Sequence, residues 1–193
     1  ERAEQQALGT LANAVEADAT TIESARKLIA EVEKLYGRLD LLVNTVKIAP
    51  ESSFLEMTED EWTRVVAANL KAVFFVAREA VPLMRARPKP VIVNIASAVD
   101  TEETARDAAL ASIRAGIVGM TQALALELSP KFRVNAVAIS EKPVFKGGFE
   151  TLDAELFKPK PAGGVSDERV ARTIVYLLSS EAVGLTGQVL TVG

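Results

Sequence analysis

Short apolar segments alternate with long helical patterns along this chain, and that alternation leaves it few folds to choose from. Leu39 to Val43 is apolar except for Asp40, and Pro90 to Ala96, Val134 to Ile139 and Gln188 to Val192 are further short apolar segments. Apolar residues at successive positions suit strands buried on both faces of a parallel sheet. Asn13 to Asp18 reads as a further short strand ending in an acid. Helical patterns lie between. Thr21 caps a helix in which Ile22, Ala25, Leu28, Ile29, Val32 and Leu35 recur at helical spacing, and Gly37 stops it. Thr58-Glu59-Asp60-Glu61 has the form of a capping box. The helix it opens runs from Trp62 to about Arg87, with Pro82 near its last turns. Arg106 to Leu128 predicts a long helix with an apolar stripe of Leu110, Ile113, Ile117, Met120, Leu124 and Leu128. Asp167 caps a helix through Leu178. Glu141 to Val165, broken by Pro143, Gly147-Gly148, Pro159, Pro161 and Gly163-Gly164, reads as a long loop. Strand and helix in this alternation mean an α/β fold, a parallel sheet with helices on both faces.

The bulk properties remove several function classes. A length of 193 residues suits a single domain with a substantial core. Net charge is −4 and the basic residues are dispersed, so no nucleic-acid face is expected. No unbroken apolar run approaches the length of a membrane span, so no membrane association is expected. Cysteine and histidine are both absent. That removes disulfides, thiolate nucleophiles and the commonest general base and metal ligand, and no metal site is expected. The acidic group Glu102, Glu103 and Asp107 reads as a solvated loop and helix start. A cytoplasmic location is the default expectation. The chain opens on Glu1 rather than methionine, with Glu1 to Leu8 resembling a helix under way, so residues upstream are expected.

Ser97 closes the segment Val91-Ile92-Val93-Asn94-Ile95-Ala96, with Leu110 thirteen residues on and Arg114 seventeen on. This layout resembles the short-chain dehydrogenase/reductase family. Other segments agree in order and interval: Asp18 after an apolar run, Gly37-Arg38-Leu39-Asp40-Leu41-Leu42-Val43-Asn44, Ala67-Ala68-Asn69-Leu70, Arg133-Val134-Asn135-Ala136-Val137-Ala138, and Thr186-Gly187-Gln188-Val189-Leu190. Within the family, Leu128-Ser129-Pro130-Lys131-Phe132-Arg133-Val134-Asn135 is most similar to 3-oxoacyl-carrier-protein reductases and pteridine reductases. The resemblance implies a single Rossmann-like, doubly wound sheet of strand order 3-2-1-4-5-6-7. With Asn13–Asp18 as third strand, an N-terminal β-α-β part is missing, and a gap of about 10 Å is expected in the sheet. Upstream residues, another chain, or direct pairing of the first strand present with the fourth would each close it.

The resemblance also implies roles. Ser97 would orient a substrate carbonyl and Asn69 would position a water in a proton relay. Asp18, Asn44 and Arg114 would face a NADP or NAD cofactor. Helices 70–87 and 106–128 would pair across a two-fold axis into a homodimer or homotetramer, or into a hetero-oligomer with an active paralogue. The departures from the family fall at the chemical site. Leu110 and Arg114 stand where the family has its acid–base tyrosine and lysine. Asn44-Thr45-Val46-Lys47 replaces a glycine-containing turn, and Ile139-Ser140 replaces a Pro-Gly. No Gly-rich dinucleotide turn occurs in these residues. Tyr36 and Tyr176, the two tyrosines, lie at a helix end and in a late helix. Structural roles compete with each chemical one: Asp18 as a helix cap, Asn44 as a turn holder, Asn69 as a bridge between backbone groups, Arg114 in a surface salt bridge. The expected function is a reductase-family protein that is inactive or impaired and kept for assembly. An active NAD(P)-dependent oxidoreductase using a water held by Ser97 and Asn69 is one alternative. A non-catalytic ligand- or nucleotide-binding protein is the other.

Overall fold

The computed structural model describes residues 12–45, 48–97, 108–139 and 167–192. In chain order the elements are α1 (Ile22–Tyr36), β1 (Leu41–Asn44), α2 (Glu59–Val66), a π turn (Ala67–Lys71), α3 (Ala72–Met84), β2 (Val91–Ser97), α4 (Ala108–Glu127), β3 (Arg133–Ile139), α5 (Asp167–Leu178) and β4 (Val189–Val192). The four strands form one parallel sheet in the order β1-β2-β3-β4. Helices cover both faces, as expected for a Rossmann-like sheet. On one side Ala25 and Ile29 of α1, Met84 of α3 and Ala125 of α4 close on Ile92 and Val134. On the other, Leu177 of α5 closes on Val91, Val93 and Val137.

Residues 13–18 form no strand, which corrects the sequence expectation. A strand persists through its ladder, and this segment pairs with none of the four strands. Instead Asn13 Nδ2 donates to the Tyr36 hydroxyl at 2.8 Å, tying the segment to the end of α1. The four described strands are contiguous, so the expected gap falls beside β1 and not within the sheet.

Local chemistry explains the element boundaries. The Thr21 hydroxyl accepts from Ser24 N, and the Ser24 hydroxyl accepts from Thr21 N, a reciprocal cap on α1. Gly37 ends α1 at φ +66°, a left-handed conformation costly for any residue with a Cβ. Thr58 caps α2 by accepting from Glu61 N at 3.2 Å. The Glu61 carboxylate does not return to close the box; it accepts from Glu51 N and Ser52 N and holds the preceding loop.

The inward face of α4 is Ala109, Ile113, Arg114, Ile117, Thr121 and Ala125, rotated from the expected stripe. Small side chains bring the helix close to the sheet, and Leu110, Met120 and Leu124 flank that contact, half-buried. Leu126, 80% exposed, lies on the outer face. The helix is thus apolar around its circumference, and is long and apolar enough to cross a membrane by length and composition alone. Its packing against β2, β3 and the π turn marks it as a core helix with an uncovered outer face.

Candidate functional site

In an open parallel sheet the crevice for ligands lies beyond the carboxyl ends of the strands. Here that edge holds Asn44 at the end of β1, Ser97 at the end of β2 and the first turns of α4. Ser97 pairs in register with Ile139, the last residue of β3. The side chain of Ser97 lies outside the described residues, as do Val46, Lys47, Ser140, residues 98–107 and the loop from Glu141 to Val165.

Asn44 points into the protein. Its Nδ2 donates to Asn94 Oδ1 at 2.9 Å, Asn94 Nδ2 donates to Thr121 Oγ1 at 2.9 Å, and Thr121 Oγ1 donates to Ile117 O at 2.8 Å. All three side chains are buried. This relay joins β1, β2 and α4 through satisfied polar groups, the condition under which burying them is tolerable. Asn44 therefore holds two strands together rather than a turn.

Asn69 sits in the π turn between α2 and α3. Its Nδ2 donates to Val65 O and Ile48 O, each at 2.8 Å, and its Oδ1 accepts from Ile48 N at 3.0 Å. Both amide protons are thus committed, and the residue clamps the loop after β1 to the helix, as its structural reading requires. With no N–H left to offer, this side chain cannot donate to a relay water.

Leu110 and Arg114 stand four residues apart on α4, hence on one face. Leu110 is half-buried and Arg114 is 5% exposed. That burial corrects the surface position expected from the sequence: the inward turn of α4 carries the guanidinium beneath the surface. Asp18 is not a helix cap either, since Thr21 performs that function. The Asp18 carboxylate accepts from Thr20 N at 2.9 Å, and this bond holds its pKa below the ordinary aspartate value. Among the described residues no cluster of acidic side chains is arranged to hold a metal.

Three polar residues escaped the sequence reading. Arg133 opens β3 and sends its guanidinium under α5, where it donates to the carbonyls of Leu177 (2.7 Å), Ala182 (3.1 Å), Leu178 (3.5 Å) and Ser179 (2.9 Å). Burial lowers its pKa from the ordinary arginine value. Asn135 donates to Leu185 O and accepts from Gln188 N, fixing the approach to β4. Asn94 is the centre of the relay. The available signal was a polar residue inside an otherwise apolar strand run.

Two concavities adjoin α4. One of about 590 Å³ lies between the loop Pro50–Thr58 and the start of α4, lined by Phe54, Met57, Trp62 and Ser112 among others. The other, about 430 Å³ and mainly apolar, lies between the π turn with α3 and the outer face of α4, lined by Leu70, Phe74, Gly116, Met120 and Leu124.

The Asn44 and Asn69 amide protons are spent inside the protein, whereas the exposed Asp18 carboxylate accepts once, from Thr20 N, and keeps further acceptor sites. A guanidinium on a buried helix face replaces the expected lysine. The family that the sequence resembles typically uses NAD(P)H, and in this chain the amide protons of Asn44 and Asn69 are committed to other partners.

A family model described as enoyl-(acyl carrier protein) reductase matches residues 1–193. The 3-oxoacyl-[acyl-carrier-protein] reductase FabG of Thermotoga maritima is 34% identical over 175 residues, 89% of this chain and 71% of that protein. The enzyme of the same name from Staphylococcus aureus is 30% identical over 193 residues, 98% of this chain and 78% of that protein. Among solved structures, a short chain dehydrogenase from Mycobacterium smegmatis superposes with a TM-score of 0.83 at 28% identity, covering all of this chain and 74% of that one. Fold, family model and relatives agree that this chain belongs to the short-chain dehydrogenase/reductase family, within its 3-oxoacyl-acyl-carrier-protein reductase type.

Proposed function

We propose that this chain is a reductase-family member that retains the fold and an assembly surface but not ordinary carbonyl reduction. The observation that carries this reading is the pair Leu110 and Arg114 on one face of α4. Reducing a carbonyl by hydride requires a proton for the oxygen. Leucine has none to give, and a guanidinium stays protonated at any working pH. Loss of a general acid typically costs about 10²–10⁴ in rate. Tyr36 is bonded to Asn13 at the end of α1, and Tyr176 lies in α5, so neither shares the α4 face. In the relay-water alternative Asn69, whose two amide protons are engaged, would hold the water through a carbonyl oxygen.

The retained role is assembly. The apolar groove between α3 and α4 is lined by the helices that the family resemblance assigns to subunit pairing, and a second copy or an active paralogue is its occupant in this reading. The cleft beside Phe54 and Trp62 favours a second reading, a binding protein without turnover. The test is an assay of 3-oxoacyl thioester reduction with NADPH and NADH, alongside calorimetric titration of each nucleotide. Neither binding nor turnover is expected. Turnover near 1 s⁻¹, an ordinary enzyme rate, would overturn the proposal, and tight binding without turnover would select the second reading.

A further inference from the structure

The cleft beside Phe54 and Trp62 has walls that are held in place. The loop forming one wall is tied down to α2 and the π turn. Asn69 donates to Ile48 O and accepts from Ile48 N, and the Glu61 carboxylate accepts from Glu51 N at 2.6 Å and Ser52 N at 3.1 Å. Within the loop Met57 N donates to Ser53 O at 2.9 Å, and the Ser53 hydroxyl donates to the Glu56 carboxylate at 2.7 Å. The turn that presents Phe54 therefore closes on itself. The other wall is the start of α4, a helix seated on β2 and β3. Neither wall depends on what pairs with the outer edge of β1. A volume of about 590 Å³ suits a small organic molecule.

The lining has a definite chemistry. Phe54, Met57 and Trp62 supply an apolar wall, and with Phe54 71% and Trp62 41% exposed both rings keep surface free for a ligand. Glu51 and Glu59 add two carboxylates, and among the described residues no lysine or arginine lines the cleft. Glu51 shares one long ion pair with Arg64, at 3.4 Å, and the Glu59 carboxylate has no partner among the described residues. Ser112 spends its hydroxyl proton on Ala108 O at 2.8 Å and is left with acceptor lone pairs. The N-terminus of α2 adjoins the cleft and would favour an anion, but Glu59, Asp60 and Glu61 in its first turn already serve it. We infer that this cleft binds an organic cation, a protonated or quaternary amine carried on an aromatic or aliphatic body. The negative faces of the Phe54 and Trp62 rings attract the ammonium, and Glu51 and Glu59 are its counter-charge. The same lining disfavours ligands that carry phosphate or carboxylate. The inference rests on the second reading of the cleft, binding without turnover, and supplies the class of its ligand.

Trp62 is the only tryptophan in the chain and so reports on the cleft directly. Three probes share one body and differ in charge: phenylbutylamine, phenylbutanol and phenylbutyrate. Each is titrated into the full chain at low ionic strength, where exposed charges are least screened, and followed by tryptophan fluorescence and calorimetry. The amine is expected to bind about tenfold more tightly than the alcohol, and the acid not at all. The double variant Glu51→Gln, Glu59→Gln leaves the Glu61 tethers in place. In it the preference for the amine is expected to fall to about threefold, the share left to the rings. Phe54→Ala, at a mostly exposed side chain, is expected to weaken the amine and the alcohol together. Equal binding of amine and alcohol, or an unchanged preference in the double variant, would overturn the cation assignment while leaving a binding cleft. No binding of any probe at about 1 mM would overturn the cleft reading itself. If the double variant does not fold, salt decides: a preference undiminished in about 1 M salt overturns the assignment.

Discussion

Asn94 is the residue whose removal should tell most about how this site is built. Asn94→Ala deletes two hydrogen bonds, one from Asn44 and one to Thr121. Each is worth roughly 0.5–1.5 kcal/mol net. The Asn44 amide, 6% exposed, then loses its acceptor, and an unsatisfied buried donor costs about 1–3 kcal/mol. Thr121 keeps its own bond to Ile117 O, so its hydroxyl is not orphaned. The expected loss is about 2–4 kcal/mol. Thr121→Val, nearly isosteric, removes one acceptor and should cost about 1–2 kcal/mol. Because the two residues share a bond, the double variant should lose less than the sum, with a coupling of about 0.5–1.5 kcal/mol. Urea unfolding of the four proteins, monitored by far-ultraviolet circular dichroism, measures all three quantities. Losses below about 1 kcal/mol for Asn94→Ala, or strict additivity, would refute the claim that the relay joins β1, β2 and α4.

Arg133→Ala strips four carbonyl contacts from the end of α5 and should cost about 2–4 kcal/mol; Arg133→Lys should recover part of this, and equal stability of all three proteins would refute the clamp. Gly37→Ala should destabilise by about 1–2 kcal/mol through its left-handed φ alone, with no change in the slope of unfolding against urea. Asp40 should make stability depend on acid. The hydrogen bond from Arg38, with further help from Arg87, holds its pKa down at about 2 against 3.8. A carboxylate with a lowered folded-state pKa stabilises the fold above its unfolded value, and that contribution fades as pH falls from about 4 through about 2. The full conversion is about 2.5 kcal/mol, but with over a third of the side chain in water about 1 kcal/mol or less is expected. Wild type should therefore exceed Asp40→Asn in stability at pH 6 and lose that margin by pH 2; a margin constant with pH would sink the assignment.

The parts legible in sequence are those decided by local chemistry. Thr21, Gly37 and Thr58 announce helix boundaries because capping groups and a positive φ act within a few residues. The apolar runs announce β1 to β4 because a strand covered on both faces needs no polar side. The segment 13–18 misleads for the opposite reason: whether a short apolar stretch becomes a strand depends on a neighbour that no local pattern encodes. The stripe on α4 is rotated because hydrophobicity favours Leu110, Met120 and Leu124, whereas close packing favours Ala109, Thr121 and Ala125. That rotation also reverses the reading of Arg114. A long charged residue reads as exposed from sequence, and only the tertiary seat of the helix puts it inside.

The positions of the polar residues bear on which substitutions the fold tolerates. Asn44, Asn94 and Thr121 bridge three elements, so replacing any one orphans a buried group and the fold itself resists the change. The side chain at position 110 is only half-buried. Position 114 is intermediate. Lysine can shed its proton on burial, but arginine cannot, so a guanidinium on a residue only 5% exposed is tolerable only where surrounding groups offset its desolvation. Arg114→Met should therefore cost more stability than Leu110→Ala, although the family resemblance assigns both positions to chemistry. Measured side by side by urea unfolding, the reverse order would refute this ranking.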